Sequence, residues 1–416
     1  MLILYNILIN IFSIFARIYL RVRIKKNKEH PKRYLEKLSV IDLPKNTNRL
    51  VWFHVASVGE FLSIVPIIDQ FLKDRLFDKI LVTSITLSSS EIFDRKYKKN
   101  NNIIHQFLPI DKSKFIKTFL KHWSPSIAIL VESEIWPNLI FEVKKTNIPL
   151  ILLNARITSK TFAKWIFIKG FAKKIFQQFD LCLSSNKETN FFLEKLEVKK
   201  IKNFGNLKFS ANLKIAPNSE NINLGKKNKV WCAISTHDPE ETICANSHLK
   251  LKSNYDDLLG IVIPRHISRV NSIEESLLNM NLKVQLVSQS TVVKDKTDIL
   301  IVDTYGEVAK YLSLSNLAFL GGSLINHGGQ NPIEAVKLGC KVSHGPNVQN
   351  FKEIYEYLSN MKLSNLVNDE TELYDFFKRN LDIQDSNKES IIKQINEHGE
   401  NILTKTILEI KNQFSI

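Results

Sequence analysis

The chain has 416 residues, 44% of them hydrophobic, with 13 Gly and 12 Pro; that is too long for one ordinary core, points to two or three globular domains, and excludes a disordered or fibrous protein. Its net charge of +16 suits an anionic membrane or an acidic substrate, but Asn- and Lys-rich runs such as KKNNN and GKKNK inflate the figure, and without helix-turn-helix spacing, finger spacing or aromatic-interleaved basic strands nucleic acid is not expected as a partner. Cys182, Cys232, Cys244 and Cys340 are scattered without a CxxC pair, which excludes a zinc site or a disulfide framework and indicates a reducing compartment.

Residues 1–16 carry no charge, and Arg17, Arg21, Arg23, Lys25, Lys26 and Lys28 follow at once. A helix of that uncharged length covers about 24 Å, slightly short of a bilayer core. Asn6, Asn10, Ser13, Arg17 and Arg21 fall on one helical stripe, which predicts an anchor lying in or tilted through a membrane interface. The cations come after the apolar run, opposite to a cleaved signal peptide, and mark the cytoplasmic side. A buried core helix is the alternative reading of the same stretch.

From residue 50 short apolar runs alternate with amphipathic stretches: 50–56, 79–86, 127–133, 149–155 and 181–185. Near-continuous apolar strands separated by helices predict a parallel sheet covered on both faces. The polar segment 210–229 lacks periodicity and reads as a linker. The pattern restarts at 230–236, 258–264, 283–288, 298–304 and 317–322. The expected organisation is an anchor over 1–25, a Rossmann-like domain over 30–209, the linker, and a second Rossmann-like domain over 230–416. Two doubly wound α/β domains with a ligand cleft at the carboxyl ends of their strands resemble the GT-B glycosyltransferases. The chain has no Asp-x-Asp metal motif, so neither a metal nor a cofactor is expected.

Polar residues gather where these strands end. In HVASVGE, Glu60 opens a helix, either complementing its dipole or serving as a base. In VESEIWPN, Glu132 and Glu134 share a side if the strand continues and separate if the chain turns; Arg156 in NARIT is available to pair with one of them. Lys208 precedes the linker, and Arg265, His266 and Arg269 follow the strand ending at Pro264, cations suited to a departing phosphate. His237, Glu240 and Glu241 open a helix, where acidic first-turn residues are ordinary.

The segment FLGGSLINHGGQNPIEAV, 319–336, carries the most information. A buried strand runs into paired glycines that admit a ligand close to backbone amides, and a helix opens on Asn331 as cap and Pro332 as its first residue. Glu334 is either half of a capping box or a carboxylate for ribose hydroxyls.

In order along the chain, HVASVGE, ESEIWPN, NARIT, FGNLKF, STHDPEE, PRH, GEVAKYLSLSNLAFLGGSL, GGQNPIEAV and GPNVQNF resemble the motif series of the lipid A 3-deoxy-D-manno-octulosonic acid (Kdo) transferases, inverting GT-B enzymes. The resemblance implies transfer of Kdo from CMP-Kdo to the lipid A precursor lipid IVA at the cytoplasmic face of the inner membrane. It implies Glu60 as proton acceptor and Glu132 and Lys208 as supports of the transition state. CMP contacts fall on Pro264, Arg265, Gly306, Glu307, Val308, Asn331, Pro332, Ile333 and Glu334. Departures from the family pattern are Gln330 in place of His, Ala335 in place of Pro, Asp238-Pro239 where a Gly is usual, and Asn347 and Gln349 in GPNVQNF. A GT-B enzyme using a UDP-sugar is the alternative enzyme, and a basic peripheral protein on an inactive enzyme fold is the alternative outside enzymes.

Overall fold

The computed structural model describes residues 1–45, 49–211, 222–290, 292–382 and 386–414. The chain divides into two compact units, Met1–Ala211 with Gly399–Ile416, and Asn212–His398.

The first unit is built on seven parallel strands: β1 (Leu50–His54), β2 (Lys79–Ser84), β3 (Ile103–Phe107), β4 (Ile127–Val131), β5 (Leu150–Ala155), β6 (Leu181–Ser184) and β7 (Ile201–Asn203). Their order is β3-β2-β1-β4-β5-β6-β7. Each expected apolar run of this half forms a strand, and β1, β4 and β5 are buried throughout, as covering both sheet faces requires. The sheet changes winding direction between β1 and β4, the topological switch where open α/β sheets bind ligands. Its core includes Trp52, Phe119 and Trp123, with Trp52 and Phe119 rings 4.9 Å apart.

β3 was not legible as a strand because IIHQF carries two polar residues inside. Both have partners: Trp123 Nε1 donates to Gln106 Oε1 at 2.6 Å, leaving Gln106 Nε2 buried without a partner among the described residues, and His105 meets Ser84 Oγ at 2.9 Å and Arg33 at 2.8 Å.

The second unit repeats the plan with β8 (Lys229–Thr236), β9 (Leu258–Pro264), β10 (Val284–Leu286), β11 (Ile299–Ile301), β12 (Leu317–Leu320), β13 (Lys341–His344) and β14 (Ser364–Leu366). Their order is β10-β11-β9-β8-β12-β13-β14, all parallel. The switch lies between β8 and β12, and Trp231 stacks on Phe377 within the core.

The expected domain over 230–416 is corrected at its end: Gly399–Ile416 belongs to the first unit. The reason is packing and charge. Glu409 pairs with Lys200 and Lys202, Phe414 meets Phe77 edge-on, and Lys411 pairs with Asp74. Residues 212–221 of the expected linker lie outside the described residues.

The N-terminal helix, Leu2–Lys25, is long and apolar enough to cross a membrane, with a mean hydropathy of 1.7. Only Ala16 and Leu20 are buried, while Ile3, Ile7, Ile11, Ile14, Phe15 and Ile18 are exposed. The polar-stripe residue Ser13 faces the protein, where Lys112 donates to its Oγ, and Tyr5 donates to Asp111 at 2.7 Å. The alternative of a buried core helix is therefore wrong for this segment.

Candidate active site

In the first unit, β1 hands over at His54 to the helix Val58–Asp74. Ser57 caps that helix through its Oγ, which accepts from Glu60 N at 3.3 Å, and Glu60 Oε2 accepts from Ala56 N at 2.7 Å. Glu60 thus completes the helix start, as the dipole reading expects. It does more, because the side chain is buried. Burial pushes its carboxyl up to about 7 from an ordinary 4.5, the bond from Ala56 N opposes this, and the charges of Glu132 and Glu134 add to it.

After β4 the chain turns, which separates the two acids. Glu132 lies in the left-handed region at φ +56°, and Asn154, on neighbouring β5, does so at φ +52°. Each costs roughly 1–2 kcal/mol in an L-residue and persists only where its surroundings enforce it. The enforcement is visible. Asn154 Oδ1 accepts from Leu207 N at 3.0 Å, and Asn154 Nδ2 faces both Glu132 Oε1 and Asn206 Oδ1 at 3.4 Å.

Lys208, on the short turn Leu207–Ser210, reaches Glu132 Oε1 at 2.8 Å. Glu134 takes a separate role: His54 Nε2 lies 3.2 Å from its Oε2, and Trp136 Nε1 donates to the same oxygen at 2.8 Å. Burial works against ionisation of Glu134, but the contacts from His54 and Trp136 outweigh it and hold the carboxyl below its ordinary value. The backbone carbonyl of Arg156 accepts from Ser133 Oγ at 2.8 Å, and Lys208 is an ion partner of Glu132.

The turn bearing Lys208 is clamped by the C-terminal helix. A Cβ on Gly399 would stand 2.2 Å from Phe209 O, and one on Gly205 2.8 Å from Ile402 Cδ1. Neither contact was foreseeable from spacing, because the partners are almost two hundred positions apart.

In the second unit the residues expected to hold a nucleotide follow three adjacent or near-adjacent strands. Pro264 ends β9, with Arg265 N donating to Thr236 O at 3.1 Å; Gly306, Glu307 and Val308 follow β11; and Asn331 to Glu334 follow β12. Arg265 is exposed and forms no ion pair among the described residues, whereas Arg269 is bound bidentately by Glu241 at 2.8 and 3.1 Å. Thr304 Oγ1 donates to Glu307, whose other oxygen lies 3.5 Å from Lys310 Nζ.

The amides that follow the paired glycines have a partner within the protein. Glu240, fully buried, collects them: its carboxylate accepts from Gly322 N at 2.7 Å, Ser323 N and Leu324 N at 3.0 Å, and His237 N at 2.9 Å. A residue that looked like an ordinary first-turn acid is the pin of the loop. The following helix, Ile333–Lys337, has five residues and starts one position late, with Pro332 as its cap and Asn331 Oδ1 accepting from Ile333 N at 3.2 Å. The Glu334 carboxylate makes no hydrogen bond or ion pair among the described residues, so the capping box is not formed. Burial raises its carboxyl.

Two imidazoles, His237 and His266, gather beside His327 of the loop. His237 lies 4.3 Å from His327 and 6.0 Å from His266, ring centre to ring centre, and both His237 nitrogens are shielded from solvent. Burial, then the neighbouring His327, lowers His237, which favours a neutral ring. A Cβ on Gly322, at φ +65°, would stand 3.3 Å from His327 Nδ1 and 3.5 Å from His237 Cε1, so glycine there serves both backbone and rings.

A family model described as 3-deoxy-D-manno-octulosonic-acid transferase (kdotransferase) matches residues 31–211. A 3-deoxy-D-manno-octulosonic acid transferase of Rickettsia bellii is 33% identical over 377 residues, 89% of this chain and 88% of the relative. The transferase of the same name from Haemophilus influenzae is 30% identical, over 74% and 73%. Among solved structures, UDP-GlcNAc 2-epimerase from Neisseria meningitidis bound to UDP-GlcNAc superposes with a TM-score of 0.62, covering 86% of this chain and all of that one, at 12% identity; that is a likeness of fold alone. The two parallel sheets agree with the GT-B class, and the chain belongs to the 3-deoxy-D-manno-octulosonic acid transferases.

Proposed function

We propose that the protein transfers Kdo from CMP-Kdo to lipid IVA, with inversion and without a metal, at the cytoplasmic face of an inner membrane to which the helix Leu2–Lys25 attaches it. The observation that carries the chemistry is Glu60, a carboxyl at the β1/β4 switch with its pKa raised to about 7. A base is most effective when its pKa lies near the working pH. Glu60 takes the proton from the acceptor hydroxyl as that oxygen attacks the anomeric carbon of Kdo. The bond from that carbon to the phosphate oxygen breaks, and CMP departs with the electron pair.

Attack opposite the leaving group inverts the centre. Lys208, held by Glu132, supplies positive charge where negative charge develops, and exposed Arg265 serves the departing phosphate. Pro264, Gly306 to Val308 and Asn331 to Glu334 hold the CMP, with the unpaired Glu334 carboxylate on the ribose. Ser57 and Gly59 leave the acceptor a path to Glu60: a Cβ on Gly59 would meet only Ser57 Oγ, at 4.0 Å.

The test is transfer from CMP-Kdo generated in situ to lipid IVA by the membrane-reconstituted protein, read by mass spectrometry. A mass gain of one or more Kdo residues in wild type, lost in Glu60→Gln, is expected. Activity retained in that variant would remove Glu60 as base, and inhibition by UDP in place of CMP would overturn the donor.

A further inference from the structure

We propose that the helix Ser159–Phe167 is a second lipid-contacting element, one that presses the carboxyl edge of the first sheet onto an anionic bilayer. This rests on the reading of Leu2–Lys25 as a membrane-bound helix and adds to it a contact that fixes orientation. No residue of Ser159–Phe167 is buried. Phe162 and Trp165 turn inward, Phe162 stacking on Phe192 at 4.1 Å and Trp165 meeting Phe176 edge-on at 5.4 Å. That leaves Lys160, Ala163, Lys164 and Phe167 outward at helical spacing, with Ile166 beside them and Phe167 92% exposed.

The charge is as one-sided as the exposure. Between Glu142 and Asp180 the sequence has eight Lys or Arg and no acid. Lys160, Lys164, Lys169 and Lys174 form no ion pairs among the described residues, and the one acid bonded to this helix, Glu188, accepts from Ser159 Oγ instead. An exposed aromatic within unneutralised lysines is the chemistry of an anionic lipid interface, whereas a protein partner of ordinary composition would require acids in return.

Position completes the case. Ser159–Phe167 follows the carboxyl end of β5. The N-terminal helix docks at the same edge: Tyr5 bonds Asp111 beyond β3, and Asp111 accepts from Asn138 N and Leu139 N, which open the helix after β4. Both elements therefore flank the edge that carries Glu60 and Glu132.

The full-length protein tests this, because its four native cysteines are all buried and leave an introduced one to be labelled. An environment-sensitive fluorophore is placed at Phe167→Cys, at Ile14→Cys on the N-terminal helix, and at Lys99→Cys ahead of β3 on the opposite sheet edge. Vesicles of phosphatidylcholine alone or with phosphatidylglycerol carry brominated acyl chains as quenchers. Quenching at 14 and 167 but not at 99 is expected. At 167 it should require phosphatidylglycerol and fall about fivefold in vesicle affinity for each of Lys160→Gln, Lys164→Gln and Lys169→Gln. Quenching at 14 with position 167 left in water overturns the second contact and spares the anchor. Failure at 14 overturns the anchor reading itself, and a blue shift at 167 without lipid quenching marks a protein contact and overturns the proposal.

Discussion

Replacing Glu60 by Gln should sharply reduce transfer and at the same time stabilise the protein, in a pH window set by the buried carboxyl. The rise from 4.5 to about 7 means that the folded state holds the proton more tightly than the unfolded one, by ~3 kcal/mol. Between those pH values the native state binds more protons, so stability falls as pH climbs from 4.5 and levels off above about 7. Gln removes that ionisation while leaving an oxygen for Ala56 N. The variant should gain up to ~3 kcal/mol over wild type at pH 8 and nothing at pH 4.5, a rise of several degrees in the unfolding temperature of the first unit. Paired calorimetric scans at the two pH values measure this. A parallel assay should show an acid limb in wild-type kcat/KM near pH 7, with activity in the variant reduced by roughly 10²–10⁴. Equal stability differences at both pH values, or a destabilised variant at pH 8, would refute the claim that burial of a charged Glu60 is what sets its pKa.

Lys208→Met should lower kcat by about 10²-fold while changing the CMP-Kdo KM little, and Lys208→Arg should restore part of it, since Glu132 would otherwise stand buried without its cation. Glu240→Gln turns an amide NH2 toward one or more of the four amides that the carboxylate gathers, so CMP affinity measured by calorimetry should fall about tenfold with the acceptor KM unchanged; an unchanged affinity would show that the loop is held by other means. Glu334→Gln should reduce the preference for CMP over 2′-deoxy-CMP, and a retained preference would separate Glu334 from the ribose. Gly399→Val, whose Cβ would collide with Phe209 O, should lower both the unfolding temperature and kcat, because the displaced turn carries Lys208.

Both sheets were legible because their central strands are long, apolar and buried, and that signal survives in a single sequence. The strands that escaped were short or internally polar. β3 hides His105 and Gln106 behind partners contributed by Arg33, Ser84 and Trp123, and β7, β13 and β14 have three or four residues each. The end of the second domain was misplaced for a related reason: the pull of Lys200 and Lys202 on Glu409 depends on a fold that brings residues two hundred apart together.

The site divides along the same line. Residues proposed to act through their own chemistry, Glu60, Glu132, Lys208, Arg265 and Glu334, stand near strand ends and are visible as polar punctuation in apolar sequence. Residues that act by holding others are not. Asn154 looks like any strand terminus until its left-handed backbone and its bonds to Leu207 and Glu132 are seen. Glu240 has the more consequential effect. A glycine-rich loop before a helix suggests free amides for a phosphate, but with Gly322, Ser323 and Leu324 committed to Glu240 those amides are already saturated. The loop is then pinned from within the protein, and in the proposed reaction these three amides do not receive the phosphate. In that proposed reaction Arg265 is the cation expected at the donor and Lys208 the one expected at the reacting centre.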